Sequence, residues 1–454
     1  MRRRDFFRTT GMGAALVLAG GVLSSAFAED DAKKGTLRPA GEQPNIVLIM
    51  ADDLGYQYIG CNGSTTHKTP VLDKLAETGT RFEYCFSQPI CTPSRVQIMT
   101  GIYNVRNYVR FGLLPRNETT FGHLLKRAGY ATCVVGKWQL GREKDSPKHF
   151  GFDESCLWQH TRRPGRYANP GLEINGEETS PEETRGKYGP DIVTDYACEF
   201  MEKNKDKPFL VYYPMILTHA PYDPTPDSPG WNPTGTGPKG KRLKVGGNNF
   251  SDMITYMDKV IGKLVAKLDE LALRENTLVL FTTDNGTGGK GKGQMNDHGT
   301  REPFITNCPG TIPAGRVNRD LIDFSDFLPT LCEAAGAEVP EALDIDGRSF
   351  LPQLKGEQGD PRDWIYCWYS RNGGTGASFA RGHKYRLYSS GKFEDVTDGF
   401  QPKAIDTPTV KEGEAADALA MLKGVLDRYD PLRAKALASF GQREKMAKKP
   451  NASK

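Results

Sequence analysis

Cys91-Thr92-Pro93-Ser94-Arg95 places a thiol, then a proline two residues on and a cation four residues on. That spacing reads as an anion site and a modification site before it reads as a structural thiol. The segment predicts a helix that Thr92 caps, with Pro93 in the first turn, where a missing N–H costs nothing. Cys91 then lies just ahead of a helix N-terminus, where free N–H groups and the helix dipole favour a negative ligand. Arg95 adds a fixed positive charge nearby. The bland alternative is a buried cysteine beside an ordinary capped helix.

Asp52, Asp53, Asp284 and Asn285 form a second set. Three carboxylates and an amide oxygen are hard ligands, suited to Ca²⁺ or Mg²⁺ rather than zinc. Lys137 and Lys292 are able to hold the oxygens of an anionic group beside such an ion. His219, just before Ala220-Pro221, is placed for proton transfer from an exposed loop. Each feature is weak alone. Acidic pairs and Asp-Asn-Gly are common in turns, Lys292 lies in a glycine-lysine loop, and His219 has a core-histidine alternative.

What joins them is their place on the elements. Apolar runs at Ile46–Met50, Ala131–Val135, Phe209–Tyr213 and Thr277–Phe281 read as buried strands. Helical stretches at about Val71–Gly79, Thr120–Ala128, Asp191–Lys203 and Ser251–Leu271 alternate with them. This rhythm predicts an α/β fold with a doubly wound sheet and helices on both faces. Asp52-Asp53, Lys137, His219 and Asp284-Asn285 then follow the C-terminal strand ends, the edge where such sheets bind ligands. Beyond Asp344–Leu351, short strands at Trp364–Tyr369, Ser378–Arg381, Lys384–Tyr388 and Phe393–Asp395 predict a smaller domain. A charged helix from about Lys411 to Lys445 closes it.

The 454 residues accommodate one large domain and a smaller one. A net charge of +4, partly in the N-terminus, excludes a nucleic-acid binder with a basic face. Nine cysteines without a C-x-x-C form no zinc pattern. Arg2-Arg3-Arg4-Asp5-Phe6-Phe7-Arg8, the apolar stretch Met12–Val22 and Ala26-Phe27-Ala28 resemble a twin-arginine-type signal peptide with its cleavage site. The expected organisation is a signal peptide at 1–28, a lead-in at 29–43, a catalytic domain at 44–340 and a smaller domain at 341–454. The protein is expected to be exported to the periplasm or beyond, with no stable membrane anchor. The glycine-, proline- and lysine-rich Pro224–Gly247 reads as a long rim loop.

Several segments resemble, in order, the type I formylglycine-dependent sulfatases of the alkaline phosphatase superfamily. They are Asn45–Gly55, Cys91–Gly101, Gly129–Gly141, Thr218–Pro221, Thr283–Gly286, Arg301–Pro303, Asp323–Leu331 and Asp346–Ser349. The resemblance implies an alkaline-phosphatase-like mixed or parallel central sheet with helices on both faces, plus a smaller C-terminal α+β domain. It implies that Cys91 is oxidised to formylglycine by a formylglycine-generating enzyme, and that Asp52, Asp53, Asp284 and Asn285 hold Ca²⁺ with the modified Cys91 at the same ion. Arg95 and Lys137 would position the formylglycine, while Lys137, Lys292 and His219 bind sulfate and meet the leaving oxygen. One hydroxyl of the aldehyde hydrate attacks sulfur, and the second lets the sulfated adduct collapse and expel sulfate, a release denied to a serine ester.

The resemblance departs at Gln139, where the family carries histidine in Gly-Lys-Trp-His-Leu-Gly. Glutamine cannot take a proton at neutral pH. His298 and Asp297 are candidate replacements for that base, and His298 is also a candidate substrate contact. The implied activity is hydrolysis of a sulfate ester, more readily of a sulfated carbohydrate than of a small aryl sulfate. Alternatives are a phosphodiesterase or phosphonate hydrolase on the same fold, and a non-catalytic binder of sulfated glycans.

Overall fold

The computed structural model describes residues 43–162, 164–229, 231–232 and 249–447. The expected signal peptide, the lead-in up to residue 42 and most of the Pro224–Gly247 loop lie outside them.

The apolar run after Pro44 forms β1 (Asn45–Ala51), buried at every residue. It is flanked on both sides by parallel strands, so neither its backbone nor its side chains meet water. The other members of this sheet are β2 (Thr80–Phe86), β3 (Ala131–Gly136), β4 (Glu154–Trp158), β5 (Leu172–Ile174), β6 (Glu177–Glu178), β7 (Phe209–Pro214), β8 (Thr277–Thr283), β9 (Arg301–Asn307) and β10 (Arg316–Asp323). Their order is β10-β2-β9-β8-β1-β7-β3-β4-β5-β6. The sheet is mixed: β9 runs antiparallel between β8 and β2, and β5 and β6 close one edge antiparallel.

Strand periodicity explains the layers. Ile46, Leu48 and Met50 face one core, while Val47, Ile49 and Ala51 face the other. Helices Cys91–Thr100, Phe121–Arg127 and Phe327–Ala334 cover the first face. Helices Pro70–Glu77, Gly189–Lys203 and Asn249–Glu270 cover the second. A separate antiparallel sheet follows in sequence order: β11 (Ile365–Tyr369), β12 (Ala377–Arg381), β13 (Tyr385–Tyr388), β14 (Phe393–Asp395) and β15 (Lys403–Ile405). With the helices packed on it, this is the smaller α+β domain.

Two expectations are corrected here. The single terminal helix is two, Glu414–Tyr429 and Leu432–Ala447, because Pro431 between them can neither donate an N–H nor avoid the preceding turn. The large sheet also contains β2, β9 and β10, which the apolar-run reading passed over. In β9 the misleading residue is Pro303, which argues against an internal strand. The register between β2 and β9 shifts between Phe82 and Cys85, so Pro303 falls at an irregularity where its missing N–H is tolerated.

One buried carboxylate ties the second face together. Asp258, on the Asn249–Glu270 helix, accepts the N–H groups of Val71 and Leu72, each at 2.9 Å, at the start of the Pro70–Glu77 helix. Burial pushes its carboxyl up to about 6, against the pull of those two bonds. A folded-state pKa above the unfolded one gives stability that is full below about pH 4 and is lost as pH rises through about 6. Relative to Asp258→Asn, the wild type should therefore lose on the order of 2 kcal/mol between those limits. Urea midpoints for both proteins across that range check it, and parallel curves refute it.

Candidate active site

Parallel strands bring distant residues to one edge. Asp52 and Asp53 leave β1, Lys137 leaves β3, His219 follows β7, and Asp284 and Asn285 leave β8. β2 has the same direction, since it and β8 both run antiparallel to β9. Its C-terminal end therefore delivers Cys91 to the same edge. β2 is the element the sequence reading lacked, and its C-terminal end leads to the helix of Cys91.

The helix starts two residues earlier than expected. Its first residue is Cys91 and its cap is Ile90, which makes no side-chain cap bond. Thr92 is not the cap; its Oγ1 accepts the Gly112 N–H at 3.1 Å. Ser94 instead orders the entry, its hydroxyl donating to the Gln88 carbonyl at 2.9 Å and accepting the Gln88 N–H at 3.1 Å. Cys91 is 1% exposed. Burial pushes its thiol up, with Lys137 pulling the other way.

Around Cys91, three carboxylates alternate with three cations. Lys137 Nζ donates to Asp52 Oδ2 at 2.6 Å, Lys292 Nζ to Asp53 Oδ2 at 2.6 Å, and Arg95 Nη2 to Asp284 Oδ2 at 2.8 Å. Arg95 also holds the Lys137 carbonyl at 2.7 Å. Asp284 Oδ1 accepts the Asp53 N–H at 3.0 Å, and Asn285 Nδ2 donates to Asp53 Oδ1 at 2.9 Å. Lys290, the other lysine of that loop, is exposed.

His219 Nε2 stands 3.2 Å from Lys292 Nζ, and its Nδ1 meets the Ala220 carbonyl. That carbonyl only accepts, so the hydrogen-bond pattern assigns the proton to Nδ1 and leaves Nε2 as acceptor for Lys292. Burial lowers the His219 pKa, which keeps this neutral form at pH 7.

The donor set fits a hard cation. Asp52 Oδ1 and Asn285 Oδ1 are buried and have no hydrogen-bond partner, a rare state for such atoms. Asp52, Asp53 and His219 offer ligand atoms within 4.8 Å of one another. Burial and then the Asp52 charge push the Asp284 carboxyl up to about 7, with Arg95 opposing. Burial would raise Asp52 too, but the charges of Lys137, Arg95 and Lys292 hold it well below the usual carboxylate range. Crowded carboxylates of this kind are what a divalent cation relieves.

The candidate bases fare differently. Asp297 is fully buried and accepts from Arg381 Nη1 at 2.7 Å and Arg386 Nη1 at 2.9 Å. It is an ion-pair anchor between the two sheets and is corrected as a base. The His298 ring packs on Phe400, with centroids 5.0 Å apart, while its carbonyl crowds Gly286, where an added Cβ would come within 1.8 Å. Gln139 adopts a left-handed backbone with φ 59°, and its Oε1 is buried without a partner.

Sequence reasoning also missed Glu302, whose carboxyl accepts from Ser87 Oγ at 2.9 Å and from Thr283 Oγ1, joining the ends of β2, β8 and β9. Burial pushes it well above the usual range. Tyr222 and Tyr369, near Lys292, were also missed. Tyr222 had a signal, being next to Pro221; Tyr369 had none.

A fold of this kind with a buried cysteine among lysines, arginine and hard oxygen ligands defines a hydrolase for a tetrahedral anionic ester. Residues 44–337 match the family model described as Sulfatase, and residues 289–396 match the C-terminal region of N-sulphoglucosamine sulphohydrolase. N-acetylgalactosamine-6-sulfatase of Canis lupus familiaris is 32% identical over 72% of this chain and 69% of its own length. Arylsulfatase A of Homo sapiens is 31% identical over 76% of this chain and 74% of its own. The solved structure of Ps i-CgsB in complex with k-i-k-neocarrahexaose is 25% identical, with a TM-score of 0.68 over 86% of this chain and 93% of that one. The chain belongs to the sulfatase family of the alkaline phosphatase superfamily, and it is a sulfuric ester hydrolase.

Proposed function

We propose that the protein is an exported sulfatase that frees inorganic sulfate from a sulfated carbohydrate, using a formylglycine made from Cys91 and a bound Ca²⁺. The observation that carries this reading is the pairing of Cys91 with two orphaned buried oxygens, Asp52 Oδ1 and Asn285 Oδ1, inside one ring of cations. A thiol raised by burial is a poor nucleophile, so Cys91 Sγ stands in for the oxygen of its oxidised form. The hydrated aldehyde supplies an attacking hydroxyl and a second one for sulfate release. Asp52, Asp53, Asp284 and Asn285 would hold Ca²⁺, or Mg²⁺, which when bound supplies Lewis-acid polarisation of a sulfate oxygen.

The chain's own residues do the rest. Arg95 fixes Asp284 and the Lys137 carbonyl, which sets the lysine's approach. Lys137 and Lys292 meet charge that develops on the transferring group. Neutral His219 holds Lys292 by its Nε2, so this pair faces sulfate and the departing oxygen. The carbohydrate reading draws on the names of the relatives and on Tyr222, 39% exposed near Lys292 and Asp53; aromatic faces suit sugar rings. Catalytic residues fall within 44–340, and 341–454 form the smaller domain in this reading. No helix of the described residues is long and apolar enough to cross a membrane.

Intact-mass analysis of the Cys91 peptide from the native host, with turnover of sulfated saccharides and phosphate diesters, tests the function. An unmodified thiol, or higher efficiency on the diesters, would sink it. A twin-arginine route carries folded protein, so oxidation of Cys91 precedes export; aldehyde in exported protein but not in a cytoplasmically trapped precursor would refute that order.

Gln139 bears on the last step. With glutamine in place of a base, sulfate release should limit turnover. Gln139→His should raise kcat roughly a hundredfold, the low end for general-base catalysis, and should abolish a pre-steady-state burst. The left-handed φ is one histidine tolerates better than most residues. Stopped-flow kinetics on an aryl sulfate decides it: an unchanged burst refutes release as the slow step.

A further inference from the structure

The loop after β4 folds back on the strand it leaves. β4 is parallel to β3, and Leu157 pairs with Gly136. Lys137 and Trp158 therefore leave adjacent strands side by side, about 5 Å apart at the backbone. Trp158, 7% exposed, donates its Nε1 hydrogen to the Pro164 carbonyl at 3.0 Å. The Gln159 N–H bonds the Gly171 carbonyl at 2.9 Å, and the Gly171 N–H bonds the Gly165 carbonyl at 3.1 Å. The Arg166 carbonyl packs so closely on Gly189 that an added Cβ there would come within 2.2 Å. Next in the chain, the buried Tyr167 hydroxyl meets the carbonyls of His219 and Ile216. Arg166 thus stands between Trp158, the neighbour of Lys137, and Tyr167, the neighbour of His219.

Its side chain is fixed too. The guanidinium lies on the Trp158 ring, 4.1 Å from the centroid. Such a stack uses the flat face of the group and not its N–H edges. Arg166 is half-buried, and its Nη1 is enclosed with no hydrogen-bond partner. Among the described residues no carboxylate pairs with it, whereas Arg95, Arg362 and Arg381 each hold one. A second donor beside it is in the same state. Gln159 directly follows Trp158 and is 4% exposed, and its Nε2 is buried without a partner. Its amide faces the same loop: a Cβ on Gly171 would meet Gln159 Oε1 at 3.1 Å and Pro164 Cγ at 2.2 Å. Arg274 Nη1 is also unpartnered, but Arg274 precedes β8 and so lies at the opposite edge of the sheet. Enclosed donors with nothing to bond are costly, a charged one most of all. Two of them on one loop, one carrying a guanidinium charge, suit an oxyanion.

We propose that Arg166 and Gln159 form a second anion subsite on the β4 side of the active site, so that the preferred substrate carries another oxyanion, a carboxylate or a sulfate, besides the sulfate that is cleaved. The inference deepens the carbohydrate-sulfatase reading and rests on it. Arg166 supplies the charge and Gln159 a neutral donor. Trp158 holds the guanidinium in place, so little freedom is lost on binding.

The test measures kcat/KM on three saccharides that share one cleavable sulfate: a neutral one, one with an added carboxylate and one with a second sulfate. The wild-type holoenzyme should prefer at least one of the two charged saccharides over the neutral one, and the better of those two identifies the second group. Arg166→Met keeps a chain that covers Trp158 but removes the charge. It should cut that preference roughly tenfold, the loss of one charge-assisted hydrogen bond. Arg166→Lys should retain more of the preference than Arg166→Met, and Gln159→Leu should cost less than either loss of charge, because it removes a neutral donor. No preference in the wild type, or an unchanged preference in Arg166→Met, overturns the subsite. So does an equal loss for all three saccharides, which would make Arg166 only a support for Tyr167 and His219. If the wild type turns over an aryl sulfate but none of the saccharides, the carbohydrate reading itself falls.

Discussion

Cys91→Ala should lower sulfate-ester turnover by roughly ten-thousandfold or more, the scale seen when a catalytic nucleophile is removed. The fold should hardly notice. Truncating a small buried side chain costs about 1 kcal/mol, and Cys91 Sγ has no role in the ring of bonds that joins Asp52, Asp53 and Asp284 to their cations. Stabilisation by added Ca²⁺ should survive too, because Asp52 Oδ1 and Asn285 Oδ1 remain in place. Cys91→Ser makes a sharper variant. It presents one hydroxyl to sulfur but has no second hydroxyl to drive release, so it should turn over once at most and keep a sulfuryl group on residue 91. Mass spectrometry after incubation with substrate reads that adduct directly. Wild-type turnover in Cys91→Ala would end the mechanism, whereas an unsulfated but inactive serine variant would place the defect before the attack.

Asp297→Ala should cost about 3–5 kcal/mol of stability, the range for breaking a buried ion pair. Asp297, Arg381 and Arg386 are each completely buried. Arg386 keeps Glu394, which it meets at 2.6 Å, but Arg381 loses the carboxylate it pairs with. Its guanidinium would then stay buried over Phe86, 4.6 Å away, with its charge unmatched. Phe86 ends β2 and opens the path to Cys91, so strain there reaches the catalytic edge. Asp297→Ala with Arg381→Met should recover much of the loss, because the cost comes from the orphaned charge. Denaturant unfolding of the single and double variants decides this. A loss below about 1 kcal/mol in Asp297→Ala would show that solvent or another acid rescues Arg381.

Much of the fold was legible wherever burial is two-sided. β1, β3, β7 and β8 are continuous apolar runs because each lies between neighbours under helices on both faces. β2 was not legible, since Thr80–Phe86 carries Arg81 and Glu83 on a half-exposed face. β9 hid behind Pro303, and Asp430-Pro431 divided a helix that composition alone drew as one. The same contrast holds at the site. Asp52, Asp53, Lys137, Asp284 and Asn285 follow directly from strands that can be read. Glu302 and Tyr369 depend on β9 and on the second sheet, so no local pattern marks them.

The sequence by itself determined the site's chemical kinds: an oxidisable cysteine with its arginine, a hard oxygen set, two lysines, a histidine, and the absence of a base at Gln139. Those follow from residue type and from short spacings along single strand-to-loop passages. Only the tertiary structure decided which of them meet. It brought Cys91 to the common edge through β2, set Lys292 against Asp53 and His219, and turned Asp297 away into a buried ion pair. The physical reason is that these outcomes depend on strand order and direction across the sheet, and on which charges must be matched once buried. Neither is encoded in any one stretch of chain.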